Sequence, residues 1–328
     1  MRIYFTGASS FTGYWFCKTL AEAGHEVVAA FTKPGLDSYQ HLHRTRCELL
    51  LPLVEPIWNA SIGSQAMLRK LSTDQFDLLC LHGAIVGNHR AADFPVLEAF
   101  RLNTLDLDRI LATAKSNGLK GVVHTGTYFE ADEGQGTMPL EAFSLYALSK
   151  TLSWQLVRYH CFQHGIRLGK FVVANPFGRY EKPGFTRYLI ESWKSGQVPL
   201  VKTPDYVRDN VPVDLMALHY QDFCTQVAIP PADLAVAYPV PKSCPTCYVG
   251  KNRDFANRLA AECSKVFSIS CPIEFVVQSD FSEPMERFST KSSPDCSRGI
   301  SDNAKASWSE AKFWKDYLAS SSALQQGQ

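Results

Sequence analysis

No apolar run in the chain approaches the ~20 residues that cross a bilayer, so a membrane-spanning role is not expected. Nor is there an excess of either charge: a formal net charge of +1 over 328 residues gives no field to attract nucleic acid or an anionic membrane surface. Any anion site must therefore be local. Internal repeats are absent, and the one biased segment is a Ser- and Gln-rich tail at 319–328, expected to fray. The first strand pattern starts at Arg2 and Ile3 and leaves no room for a signal peptide, so a cytoplasmic protein is expected. Cysteine is plentiful at ten, but the paired spacing of a zinc site is missing. Cys244 and Cys247 form the only tight pair, and Cys263 with Cys271 does not supply a second. Free, mostly buried thiols and no metal are the expectation.

What is present is alternation. Apolar runs at 2–6, 26–31, 47–53, 77–82, 121–125 and 169–174 read as buried strands, with helical patterns at 11–23, 61–71, 96–116 and 143–164 between them. This order predicts an α/β protein, a Rossmann-type doubly wound parallel sheet covered on both faces. After Pro176 the chain breaks into Gly- and Pro-punctuated pieces, with helical patterns at 214–227, 252–267 and 307–318. The expected division is a first domain at 1–175, with later returning elements, a smaller C-terminal α/β lobe at 176–318, and the tail.

Thr6-Gly7-Ala8-Ser9-Ser10-Phe11-Thr12-Gly13 follows a strand and opens a helix, the setting in which glycines let a backbone approach a pyrophosphate at a helix N-terminus. The middle glycine is missing, and Ser10 stands there with a hydroxyl to donate. Also missing is the carboxylate that holds the ribose of NAD after the second strand, where the chain reads Ala30-Phe31-Thr32-Lys33. With Thr32 and Lys33 at that position, NADP(H) is favoured over NAD(H), and the rival reading makes Lys33 a solvated loop charge. Arg44 and Arg46 could assist, although the sequence does not place them. Downstream, Tyr146 and Lys150 are four residues apart, so they share a helix face and the ammonium can lower the phenol's pKa for proton transfer at neutral pH. They could equally be ordinary surface residues. Their weight comes from following a strand that ends in His124-Thr125-Gly126-Thr127, which brings hydroxyls to the carboxyl edge of the sheet.

Taken together, these stretches resemble an extended short-chain dehydrogenase/reductase, in the branch of NAD(P)-dependent epimerases and dehydratases acting on nucleotide sugars. The resemblance covers nearly the whole chain and adds Leu81-His82-Gly83-Ala84, Asn103, Asn175-Pro176-Phe177-Gly178 and the stretch from Tyr206 to Asp214. It implies that Tyr146 is the catalytic acid or base, that Lys150 holds the nicotinamide ribose, and that Thr127 hydrogen-bonds the reacting sugar oxygen. It assigns the cofactor to Gly7, Ser9, Ser10, Phe11, Thr12, Gly13, Thr32, Lys33, His82, Gly83, Ala84 and Pro176, with Asn103 as support. It sets Asn175 beside the substrate's nucleotide and Arg208 on its diphosphate, in keeping with the guanidinium fork's preference for phosphate. A salt bridge from Arg208 to Asp205 or Asp209 is the alternative. A homodimer through the helices at 96–116 and 143–164 is implied as well, with Trp154, Leu156 and Tyr159 compatible with it.

Two departures narrow the expected chemistry. Family 4,6-dehydratases carry an Asp-Glu pair directly after the catalytic Thr, whereas Tyr128 and Phe129 follow Thr127 and Glu130 comes too late. The third strand runs into Leu53-Val54-Glu55 without the family's adenine-contacting Asp. The expected activity is hydride transfer at C4 of a nucleoside-diphosphate sugar, as a 4-ketoreductase or a 4-epimerase. A reductase of a small non-sugar carbonyl compound and a non-catalytic NAD(P)-sensing protein are the alternatives.

Overall fold

The computed structural model describes residues 1–229, 240–277, 283–289 and 308–323. In chain order come β1 (Arg2–Thr6), α1 (Phe11–Glu22), β2 (Glu26–Ala30), α2 (His41–Leu50), β3 (Glu55–Ile57), α3 (Gln65–Thr73), β4 (Leu78–Leu81), α4 (Val96–Asn103), α5 (Leu107–Ser116) and β5 (Gly121–Thr127). There follow β6 (Gln135–Gly136), α6 (Leu145–Gln163), β7 (Arg167–Val173), β8 (Asn175–Phe177), α7 (Phe185–Lys194), β9 (Leu200–Val201), β10 (Val207–Pro212) and α8 (Val213–Ala228). Last are β11 (Lys242–Ser243), β12 (Tyr248–Lys251), α9 (Asn252–Phe267) and, beyond two short strands, α10 (Glu310–Ala323). No helix of the described residues is long and apolar enough to cross a membrane.

Two compact units result. The first comprises Met1–Glu133, Glu141–Val173 and Ala217–Cys244, and the second Gly134–Leu140, Ala174–Met216 and Pro245–Gln328. In the first, seven parallel strands lie in the order β11-β7-β5-β4-β1-β2-β3. Chain direction through the sheet reverses between β1 and β4, so the carboxyl ends of these strands frame a crevice. Strands covered on both faces must be apolar throughout, and all four residues of β4 are buried. One face packs Tyr4, Leu79 and Leu168 against Leu71, Leu111 and Val157. On the other, Phe16 stacks on Tyr220 with centroids 4.1 Å apart, and Phe171 meets both edge-on. Ser10, Ser64 and Ser144 cap α1, α3 and α6 by accepting from Gly13, Met67 and Ala147 amides, each worth about 1 kcal/mol.

Three expectations are corrected. Residues 47–53 are not a strand: α2 runs to Leu50 and a 3-10 turn covers Leu51–Leu53. Arg46, Cys47 and Leu50 point inward at helical spacing, and the leucine run that suggested a strand is the helix end. The pattern at 96–116 is two helices, because Asp106 turns left-handed at φ +51° and restarts the chain as α5, a conformation Asp tolerates. Among the described residues eight cysteines are free thiols, but Cys247 is disulfide-bonded.

The second unit is less regular. Its central strand β10 pairs antiparallel with β12 and parallel with β8. The core gathers around Phe177, which meets Phe255 and Phe313 edge-on at 5.1 and 5.3 Å.

Candidate active site

Gly7 leaves β1 at φ +76°, and a Cβ there would lie 2.6 Å from the Cα of Gly83. A Cβ on Gly13 would lie 2.3 Å from the Gly7 carbonyl oxygen. Neither position has room for a side chain, and the turn opens the N-terminus of α1. There the Phe11 and Thr12 amides have no acceptor within the helix, which makes the turn a cradle for an anion. Ser9 is fixed from behind: its carbonyl accepts from Arg46 Nε at 2.9 Å. Burial lowers the pKa of this guanidinium to about 10.

Ser10 is not the open donor its position suggests. Its hydroxyl accepts from the Gly13 amide at 3.0 Å and lies 3.1 Å from Nε2 of His82. The same Nε2 lies 3.1 Å from Thr12 Oγ1, and Nδ1 lies 3.1 Å from Thr125 Oγ1. Thr6 Oγ1 accepts from the His82 and Gly83 amides at 3.0 and 2.9 Å. His82 thus ties the fingerprint turn to β5. Burial of the ring, and secondarily the Lys150 charge, lower its pKa to about 3, so the folded imidazole is neutral. The unfolded ring takes its proton near 6.5, so stability should fall as pH drops from there toward 3. Compared with His82→Gln in urea at neutral pH and at about pH 4.5, the parent should lose its advantage at the lower pH. A pH-independent difference would refute this role.

Lys150, 4% exposed on α6, donates to the Thr125 carbonyl at 2.7 Å. Burial lowers its pKa to about 8, with Glu130 opposing the shift and Lys170 adding to it. Tyr146 lies one turn earlier, its ring met edge-on by His89 at 6.0 Å and Phe94 at 5.9 Å. The expected lowering of its pKa is not what the geometry gives. Burial, then the Glu130 charge, raise the phenol above its usual range, while the Lys150 ammonium is engaged with Thr125. Thr127 ends β5, and its Oγ1 accepts from the Phe129 amide at 3.3 Å. Asn103, at the end of α4, accepts from the Ile85 amide at 2.8 Å through Oδ1. Its buried Nδ2 has no partner among the described residues, an orphan donor at the end of α4.

Behind β5 lies a charge network that sequence reasoning missed. Glu130 is fully buried, and its Oε1 accepts from the Thr127 amide at 2.8 Å. Lys170, in the middle of β7, donates at 2.6 Å to both Glu130 and Glu133, and Lys242 of β11 completes the set at Glu133. The ammonium sits 4.6 Å from the Trp154 ring centroid. Gly126 makes this possible, since a Cβ there would lie 2.5 Å from Lys170 Cε. A lysine inside the apolar run Leu168-Gly169-Lys170-Phe171-Val172-Val173 was the available signal, because such a charge must be paired.

Among the remaining candidates, Thr32 and Lys33 are exposed beyond β2. Lys33 Nζ donates to the Ser38 carbonyl at 2.7 Å and lies 5.2 Å from the Tyr39 ring centroid. Arg44 pairs with Asp37 and Glu48 at the surface. Ala84 lies in the loop after β4. In the second unit, Asn175 and Pro176 are in β8, with Asn175 in register with Asn210. Arg208 is 5% exposed, and its partner is neither Asp205 nor Asp209. It donates to Glu283 Oε2 at 3.2 Å and to the Val207, Pro284 and Met285 carbonyls at 2.9, 2.9 and 3.1 Å.

The sequence profile of the NAD dependent epimerase/dehydratase family matches residues 3–217. Among solved structures, a UDP-glucose-4-epimerase from Stenotrophomonas maltophila, with bound NAD and formylated UDP-arabinopyranose, aligns at a TM-score of 0.75 and 16% identity over 100% of both chains. A UDP-glucuronic acid 4-epimerase from Bacillus cereus, in complex with UDP-glucuronic acid and NAD, aligns at 0.70 and 15%, covering 99% of this chain and 100% of that one. A dTDP-glucose 4,6-dehydratase from Streptomyces venezuelae aligns at 0.70 and 16%, covering 98% and 97%. A search of curated protein sequences gives no significant match.

Proposed function

The chain belongs to the NAD dependent epimerase/dehydratase family, and on that premise we propose that it transfers hydride at C4 of a nucleoside-diphosphate sugar, as a 4-ketoreductase or 4-epimerase. The observation that carries this reading is the linkage within the first unit. His82 joins the anion cradle to the strand that ends in Thr127, and Lys150 is anchored to the same strand. The cradle at Gly7 and Gly13 and the orphan Asn103 Nδ2 fit a dinucleotide, which when bound supplies the acceptor or donor of hydride. Tyr146 takes the sugar hydroxyl's proton in oxidation and returns it in reduction. Thr127, whose hydroxyl oxygen accepts from the Phe129 amide, donates its own proton to the developing alkoxide.

The raised phenol pKa favours the reductive direction, since the protonated phenol is the form that donates. The absence of a carboxylate beyond β2 and the exposed Lys33 favour NADP(H). Glu130, the nearest acid after Thr127, is paired with Lys170, which argues against dehydration of the 4,6-dehydratase kind. Asn175 and Arg208 are retained as substrate contacts; for Arg208 to meet a diphosphate, Glu283 must release it. The protein is further read as a cytoplasmic homodimer. Trp154 and Leu156 pack on their own core, but Tyr159 and Phe162 of α6 are 57% and 61% exposed, and Leu97 of α4 is 75% exposed.

The test is to denature one portion of freshly purified protein and identify any nicotinamide cofactor released, and to sediment a second, native portion, which should be dimeric. An empty protein that binds NADPH more tightly than NADH supports a reductase. Near-stoichiometric NAD(H) overturns the role of Lys33 and points to an epimerase. Failure to bind any nicotinamide dinucleotide overturns the whole reading.

A further inference from the structure

We propose that Asp108, His160 and His164 form a zinc site where α5 meets α6, away from every residue given a catalytic or substrate role above. The two histidines are four residues apart at the end of α6, so their rings share one helix face, with centroids 6.5 Å apart and planes 18° from parallel. Asp108, in the first turn of α5, reaches them from 56 residues away in sequence to His164. Its Oδ1 lies 3.1 Å from His160 Nδ1 and 2.8 Å from His164 Nε2, and the three ligand atoms all lie within 4.8 Å of one another.

Tetrahedral zinc with arms of ~2.0–2.1 Å spaces its ligand atoms about 3.3 Å apart. The two nitrogen–oxygen separations need to open by a few tenths of an ångström, and the two nitrogens, which lie within 4.8 Å of each other, need to settle at the same spacing for the ion to sit between the three atoms. The nitrogens that now face the carboxylate as hydrogen-bonding partners would then carry the metal, and the other nitrogen of each ring would keep the proton. The side chains are 19%, 24% and 67% exposed, so an ion has a way in and water can take the fourth position. Two imidazoles with one carboxylate suit zinc and its neighbours better than magnesium or calcium, which take oxygen-rich shells. Bound there, the ion would cross-link two helices distant in the chain and act on stability rather than on turnover.

The test uses untagged full-length protein stripped with chelator and titrated with Zn²⁺, and with Co²⁺ as the spectroscopic probe. The site predicts one ion per chain, visible Co²⁺ absorption of four-coordinate intensity, and a melting temperature raised by zinc. Asp108→Asn, which preserves the shape of the side chain, and His164→Gln should each weaken binding by at least about tenfold, the lower end of what losing even an outer-sphere partner costs. Circular dichroism establishes that the variants remain folded. Absence of a stoichiometric ion, or a stoichiometric ion undiminished in the double variant, overturns the site.

Discussion

Tyr146→Phe should lower turnover roughly 10²–10⁴-fold, the range for removing a positioned acid–base group, while leaving cofactor affinity and fold unchanged. The expectation rests on how the ring is held. His89 and Phe94 meet it edge-on, and a phenylalanine would keep both contacts. The hydroxyl makes no hydrogen bond among the described residues, so its removal orphans nothing. The loss should therefore fall on the chemical step, read as kcat at saturating substrate against cofactor binding measured by fluorescence. A variant that keeps its biological activity and binds cofactor undiminished would move the protein into the class of nicotinamide sensors. Loss of cofactor binding along with activity would instead show that the ring is part of the cofactor's seat.

Lys170→Met should cost about 3–5 kcal/mol of stability, the penalty for breaking a buried ion pair by removing one partner. Glu130 is fully buried, and with the ammonium gone its carboxylate loses the cation that meets it at 2.6 Å, although Lys242 still meets Glu133. Against a total stability of about 5–15 kcal/mol this loss is large. Adding Glu130→Gln removes that buried charge and should recover part of the loss, because the amide oxygen can still accept from the Thr127 amide. Urea midpoints for the parent, the single and the double variant test this. A single-variant loss below about 1 kcal/mol, the level of an exposed pair, would show that the network does not hold β5 in place.

How far the sequence reaches depends on which force sets each feature. The parallel sheet and the helices flanking it follow from alternation and length, and strands such as 2–6 and 26–30 are legible because burial on both faces forces an unbroken apolar run. The error at residues 47–53 arose where a leucine run at a helix end mimics such a strand. The Gly7 to Gly13 turn was readable because Gly7 takes a positive φ and Gly13 packs on the Gly7 carbonyl within the turn itself. The roles of His82 and Glu130 were not, since each depends on partners far away in sequence: Thr125 is 43 residues from His82, and Lys170 is 40 from Glu130. Tyr146 and Lys150 were visible as a pair, but their electrostatics were read wrongly. Spacing on a helix says that two groups can meet, whereas the Thr125 carbonyl that engages the ammonium lies on another element.

The fit of Gly126 against Lys170 also limits how the chain can change. Any side chain added at 126 must displace the lysine's Cε, and shortening the lysine first leaves two carboxylates in the interior with one cation fewer. Either single step passes through a destabilised protein. Positions 126, 130 and 170 therefore behave as one unit of inheritance: a descendant or a redesign can keep all three or replace them together, and the strand that carries Thr127 changes only when its ionic support does.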